Sequence, residues 1–185
     1  MAFLDPSQTR PASLWRGIAV VLGGALLITI GAKVQIPFWP VPMTLHTLAV
    51  FLLAAALGPR LGFAAMATYL AVGALGLPVF SNAPERGIGL AYLVGPTGGY
   101  LAGYLLSTLI VGWLSRNRGW IGQALAMLAG LAIVYAVGLL WLTAFVPLPG
   151  LIAAGFTPFI LGDLLKVALA SGLNTAINCL KGRTQ

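Results

Sequence analysis

Charge is what this chain most lacks. Only 7% of its 185 residues are Asp, Glu, Lys or Arg, and just three of them are acidic. Soluble domains carry roughly 25% charged residues, so this chain cannot clothe a globular surface in water. Cysteine is as scarce. The lone Cys179 excludes an intramolecular disulfide and a cysteine metal cage, and a free, buried, inert thiol is expected. One histidine, His46, cannot hold a metal without further ligands. Gly-x-Ser-x-Gly elbows, His-Glu-x-x-His helices and Cys–His pairs are all missing, so the enzyme templates fail and no metal or cofactor is expected.

What is abundant is apolar length. Hydrophobic residues make up 59% of the chain, and with about 20 residues per crossing this length allows about six spans and no separate soluble domain. The fold class that follows is an all-α integral membrane protein, a single domain over 1–185. Residues 1–13 form a polar cytoplasmic tail, and six spans fall at about 14–34, 43–58, 61–77, 97–115, 120–145 and 158–180. A signal-peptide reading of 17–32 is weaker, because the apolar stretch is too long and lacks a cleavage site. Gly58-Pro59-Arg60 is the turn between spans two and three. Pro37, Pro40 and Pro42 forbid a continuous helix between spans one and two, and 78–93 is the most polar loop.

The formal charge of +7 does not point to nucleic acid, because the basic residues are scattered at the ends of apolar segments. They fit the positive-inside rule instead. With the N-terminus in the cytoplasm, Arg10, Arg16, Arg60, Arg116, Arg118, Lys181 and Arg183 lie inside, and only Lys33 and Arg86 lie outside. Both termini are then cytoplasmic. Trp15, Trp113 and Trp120 fall at the inner interface and Trp39 at the outer one.

The most informative residues are Asp163 and Lys166, set one turn apart in the apolar sixth span. Each ionisable group near mid-membrane costs roughly 2.5–3.5 kcal/mol on insertion scales. A structural ion pair is the bland explanation, but burying two ions costs more than an apolar pair would. A ligand with both an acid and an amide-like group would satisfy a cation and an acceptor-only carboxylate together. His46, at the outer start of the second span, fits either a hydrogen-bonded interior imidazole or a ligand contact. Gly95, Gly99 and Gly103 recur every four residues, as do Ala168, Gly172 and Ala176; both series are packing devices. Ala19 and Gly23 are a further small pair, suited to internal packing or, less simply, to docking a partner. Asn174 shares the Asp163 face about 16 Å deeper and suits an interhelical hydrogen bond. Gly95-Pro-Thr-Gly-Gly-Tyr100 lacks the Lys-Ser/Thr ending of a phosphate loop.

Five elements in order, Pro40-Val-Pro42-Met-Thr-Leu-His46-Thr-Leu, Leu57-Gly-Pro59-Arg-Leu-Gly62, Gly73-Ala-Leu-Gly-Leu-Pro-Val-Phe80, Gly95-Pro-Thr-Gly-Gly-Tyr100 and Gly162-Asp163-Leu-Leu-Lys166, resemble the BioY family. These are the biotin-binding S components of energy-coupling-factor transporters. The resemblance implies a six-helix bundle with a biotin pocket near the outer face. It also implies a bacterial or archaeal inner-membrane location, a transmembrane scaffold (T) subunit and two cytoplasmic ATPases as partners. It assigns Asp163 and Lys166 to biotin, with Asn82 matching a contributing asparagine. Trp39, Tyr92, Tyr100 and Trp141 then offer aromatic walls. Where the family commonly has glutamine, this chain has His46. S components dock through small residues of the first helix, for which Ala19 and Gly23 are the nearest candidates. Apart from the resemblance, the charged pair leaves two alternatives open: a small ion- or proton-coupled carrier of another carboxylate-bearing vitamin, and a membrane scaffold protein.

Overall fold

The computed structural model describes residues 11–36, 40, 41, 43–85 and 87–183. Helix α1 (Pro11–Lys33) leads into a two-residue ladder, β1 (Gln35–Ile36) with β2 (Met43–Thr44), then α2 (His46–Ala74), α3 (Leu90–Leu93), α4 (Gly98–Leu114), α5 (Trp120–Leu142), α6 (Leu148–Gly155) and α7 (Thr157–Arg183). Among the described residues the protein is therefore all-α but for one small antiparallel ladder, which pairs Gln35 with Thr44 and Ile36 with Met43. That ladder joins the flanks of the proline-rich connection and was not foreseen from the prolines.

Among the described residues four helical stretches, Leu14–Lys33, His46–Ala74, Trp120–Leu142 and Leu148–Leu180, are long and apolar enough to cross a membrane; Gly98–Leu114 is apolar but shorter. Helices suit that solvent because every interior backbone group is satisfied within the segment. The burial pattern is inverted relative to a soluble protein. Leu26, Leu140, Leu161 and Leu165 are exposed, whereas His46, Thr47, Gln123, Asp163 and Asn174 are buried. Large apolar faces turned outward fit lipid, and Trp15, Trp113 and Trp120 are exposed as interfacial residues would be.

The expected turn between 43–58 and 61–77 sits inside α2. Gly58 breaks the helix at φ 79°, a left-handed conformation that glycine adopts without steric cost. Pro59 follows, with no N–H to continue the ladder. A methyl built on Gly62 would lie only 3.0 Å from Ala54 Cα. In a straight helix residues eight apart are about 12 Å distant, so the two halves of α2 fold back on each other.

Close packing follows one glycine series and not the other. A methyl on Gly103 would stand 2.8 Å from Val134 Cα, and one on Gly99 would stand 2.9 Å from Val137 O, so α4 and α5 meet backbone to backbone. The 168/172/176 series does not pack: Ala168 and Ala176 are exposed. Helix α7 turns Asp163, Val167, Ala170, Ser171 and Asn174 inward instead, a stripe at helical spacing. Ala19 and Gly23 are likewise exposed. Against α2, α1 uses Gly24 and Gly31, whose added methyls would each meet an alanine Cβ at 2.9 Å. The thiol of Cys179 is exposed, not buried, because position 179 falls off the inward stripe of α7.

Candidate functional site: a carboxylate clamped inside the bundle

The end of the bundle that holds the ladder is closed by the loop segment 80–83. Ser81 Oγ donates to Ala32 O (3.0 Å), and Lys33 Nζ donates to Ala83 O (2.9 Å). Gln35 grips Asn82 twice: its Nε2 donates to Asn82 Oδ1 (2.7 Å), and its Oε1 accepts the Asn82 backbone N–H (3.0 Å). Phe80 plugs the loop into the core, stacked on Tyr92 with ring centroids 4.7 Å apart and edge-on to Tyr69 at 5.4 Å.

Beneath this loop lies a cavity. Thr44, His46 and Thr47 line it from the ladder and the start of α2. Tyr100 and Tyr104 come from α4, Tyr135 from α5, and Phe159, Asp163 and Lys166 from α7, while Ser81 and Tyr92 close the top. Helical spacing explains the supply: 100 and 104, and 159, 163 and 166, each share a face.

Asp163 is the centre of this wall. Its Oδ1 accepts from Thr47 Oγ1 (3.0 Å) and Lys166 Nζ (2.9 Å), and its Oδ2 accepts from Tyr135 OH (2.7 Å). Thr47 and Tyr104 also share a short hydroxyl–hydroxyl bond. Since the single Thr47 proton points at the carboxylate, Tyr104 is the donor. One carboxylate thus ties α2, α5 and α7 together directly and α4 through Thr47. Asp163 is 6% exposed; an ion so far from water needs such hydrogen bonds and a counter-ion. About four lone-pair sites are available on a carboxylate, and three are used, which leaves room for one more donor.

Of the residues singled out by sequence, Asp163, Lys166, His46, Tyr92 and Tyr100 line the cavity. The Tyr100 hydroxyl donates to Gly155 O (2.7 Å), so its proton is already placed. Asn82 is not among the lining residues, its side chain being held by Gln35. Trp141 also stands away from it, donating to Gly95 O (3.0 Å). Trp39 lies outside the described residues. Asn174 makes the interhelical bond expected of it, donating to Gln123 Oε1 (2.8 Å). Sequence reasoning missed Thr47, Tyr104 and Tyr135. Tyr104 was discoverable, since it sits one turn from Tyr100. Tyr135 had no local signal, because it meets Asp163 across 28 positions.

Fold and cavity together define the class: a multi-pass helical membrane protein built around an internal polar site. The BioY family model matches residues 6–182, and the chain belongs to that family. It is 44% identical over 147 residues to the biotin transporter BioY of Thermotoga maritima, covering 78% of this chain and 85% of the relative. A probable biotin transporter BioY of Pyrococcus horikoshii is 38% identical over 144 residues, with 78% and 85% covered. The fold matches a crystal structure of the S-component for biotin from an ECF-type ABC transporter, with a TM-score of 0.79 at 24% identity, over 91% of this chain and 93% of that one.

Proposed function

We propose that this protein is the biotin-capturing membrane subunit of an energy-coupling-factor uptake system. The observation that carries the reading is the side-chain carboxyl of Asp163, clamped by three donors in the wall of a cavity that aromatic rings also line, in a chain of this family. Biotin offers a cyclic urea with two N–H groups, a carboxylate tail and apolar rings between them. Asp163 accepts a ureido N–H. Lys166 holds the tail carboxylate, and Tyr92, Tyr100 and Phe159 supply the apolar walls that such sites need. The urea and the carboxylate lie at opposite ends of biotin, whereas Lys166 Nζ and Asp163 Oδ1 are 2.9 Å apart. Lys166 therefore rotates off Asp163 when the ligand enters, a motion its flexible four-carbon stem allows. Thr47 and Tyr135 keep Asp163 in place meanwhile. Asn82, fastened by Gln35, serves by holding the loop over the ligand, and Trp39 is a further wall.

Counting the two halves of α2 as separate legs, α1, α4, α5 and α7 complete six crossings, which return the chain to its starting side. Arg16, Arg60, Arg116 and Arg118 put that side in the cytoplasm, of a bacterial or archaeal inner membrane. Supporting this, a methyl on Gly58 would lie 3.6 Å from the Arg116 guanidinium, so the 58–60 and 115–119 turns share one end. The cavity occupies the other, outer end. Ala19 and Gly23, exposed on α1, form the docking face for a T subunit, and two ATPases supply the energy that this chain has no phosphate loop to harvest.

Titrating the detergent-purified protein with biotin by calorimetry tests the reading. Saturable 1:1 binding is expected, and a protein that neither binds added biotin nor carries any from the cell would end it. Lys166→Ala is expected to weaken biotin more than it weakens a biotin amide, which has no carboxylate for the ammonium to hold. Equal losses for the two ligands would remove Lys166 from that role.

A further inference from the structure

His46 is 4% exposed, lines the cavity, and carries an Nε2 with no hydrogen-bond partner. Among the described residues only two other buried side-chain atoms are unpartnered, Ser115 Oγ and Asn174 Oδ1, and neither residue lines the cavity. A buried polar atom without a partner costs roughly 1–3 kcal/mol, so this one is a socket waiting for a group that arrives from outside. The nearby tyrosine hydroxyls are bonded elsewhere and none reaches this nitrogen: Tyr104 bonds Thr47, Tyr135 bonds Asp163 and Tyr100 bonds Gly155.

The ring is also rigidly placed. It packs against Tyr104 at a centroid distance of 4.7 Å and edge-on to Tyr69 at 5.2 Å. Its chain neighbour Thr47 is bonded directly to Asp163. His46 and Asp163 line the same cavity, one from the start of α2 and the other from α7. A cyclic urea places its carbonyl beside its N–H groups on a single five-membered ring. Asp163 can accept only, so the carbonyl needs a donor, and the protonated nitrogen of a neutral imidazole is one.

We infer that His46 Nε2–H donates to the ureido carbonyl of the bound ligand, making His46 a specificity-determining residue of the site. This rests on the biotin reading above and adds to it the recognition of the urea oxygen. An acceptor, Asp163, and a donor, His46, then face the urea, and a cyclic compound lacking the carbonyl acceptor is rejected because the imidazole N–H stays unpaired.

The test combines affinity with a spectroscopic probe on the full-length protein in detergent. Biotin labelled with ¹³C at the urea carbonyl is bound at saturation, and its stretching band is read by isotope-edited infrared spectroscopy. In His46→Phe the band is expected to move to higher frequency, as for a carbonyl that has lost a donor. Affinity for biotin is expected to fall by about fivefold to tenfold, the scale of one neutral hydrogen bond. Desthiobiotin, which keeps the urea and lacks the sulfur, is expected to lose the same factor. His46→Gln retains an N–H donor, preserves the polar character of the site should the Phe variant misfold, and is expected to hold the band near its wild-type frequency. A band unmoved in both His46→Phe and a His46→Leu variant, or unchanged affinity for biotin in them, would overturn the proposal. A wild-type protein that fails to bind biotin would overturn the ligand reading itself, whereas wild-type binding with an unmoved band overturns only the role of His46.

Discussion

Asp163→Asn is expected to weaken biotin binding roughly 30- to 5,000-fold, the range spanned by about 2–5 kcal/mol when one partner of a buried, hydrogen-bonded charge pair is neutralised. The substitution is nearly isosteric, so the loss comes from chemistry and not from shape. The carboxylate accepts from Thr47, Tyr135 and Lys166. An amide presents one oxygen and one NH₂, so at least one of those donors faces another donor. Lys166, whose side chain is 15% exposed, also loses its counter-ion in a poorly hydrated place. Calorimetric Kd values for wild type and variant measure the effect, with thermal unfolding recorded alongside. The double variant Asp163→Asn, Lys166→Met separates a structural pair from a ligand-binding one. Removing both ions relieves the unpaired charge, so stability is expected to recover substantially while biotin affinity stays lost. If affinity also recovers, the pair only holds helices together.

The second large effect is expected from Gly103→Leu, which should lower stability by about 1–3 kcal/mol or more and weaken ligand binding with it. A Cβ there would meet Val134 Cα at 2.8 Å and Val134 O at 3.1 Å. These are backbone atoms of α5 and cannot swing aside as a side-chain tip would, so α4 and α5 must separate. Tyr104 and Tyr135 are the next residues along those helices, and both belong to the hydrogen-bonded chain that fixes Asp163. Thermal unfolding in detergent, gel filtration and a biotin titration check the outcome. Gly17→Leu is the control, since nothing lies within 4 Å of a methyl at that position, and it is expected to leave unfolding and binding close to wild type. Equal behaviour of the two variants would contradict a backbone-close α4–α5 seam.

Much of this architecture was legible without coordinates where the signal is local and one-dimensional. Apolar runs define helices in lipid because only internal hydrogen bonding survives there. The break at 58–60 was readable because glycine and proline act through their own backbone. The structure differs from the expected spans in starting the second helical stretch at His46, in ending α2 at Ala74 and α5 at Leu142, and in the short helix α6 before the last span. Asp163 and Lys166 stood out because a charge in an apolar run is costly wherever the run folds.

Facing was less legible. Small residues at a spacing of four occur on α1, α4 and α7, yet only those of α4 meet a neighbouring backbone. Spacing says that residues share a face; it does not say whether that face meets protein or lipid, since both are apolar. The same degeneracy hid the exposure of Cys179 and of the Ala19–Gly23 pair.

The sequence by itself determined the solvent of this protein, its helical class, its break points and the acid, Asp163, that stands in an apolar run. Those follow from composition and from backbone chemistry that each residue carries with it. Only the tertiary structure decided what surrounds that acid: Thr47, Tyr135 and Lys166 on the carboxylate, Tyr104 behind Thr47, Asn82 bound to Gln35, and His46 Nε2 left without a partner. Hydrogen bonds are directional and short in range. The partners of Asp163 come from residues up to 116 positions away, and only the packing of α2, α5 and α7 brings them within about 3 Å of its carboxylate.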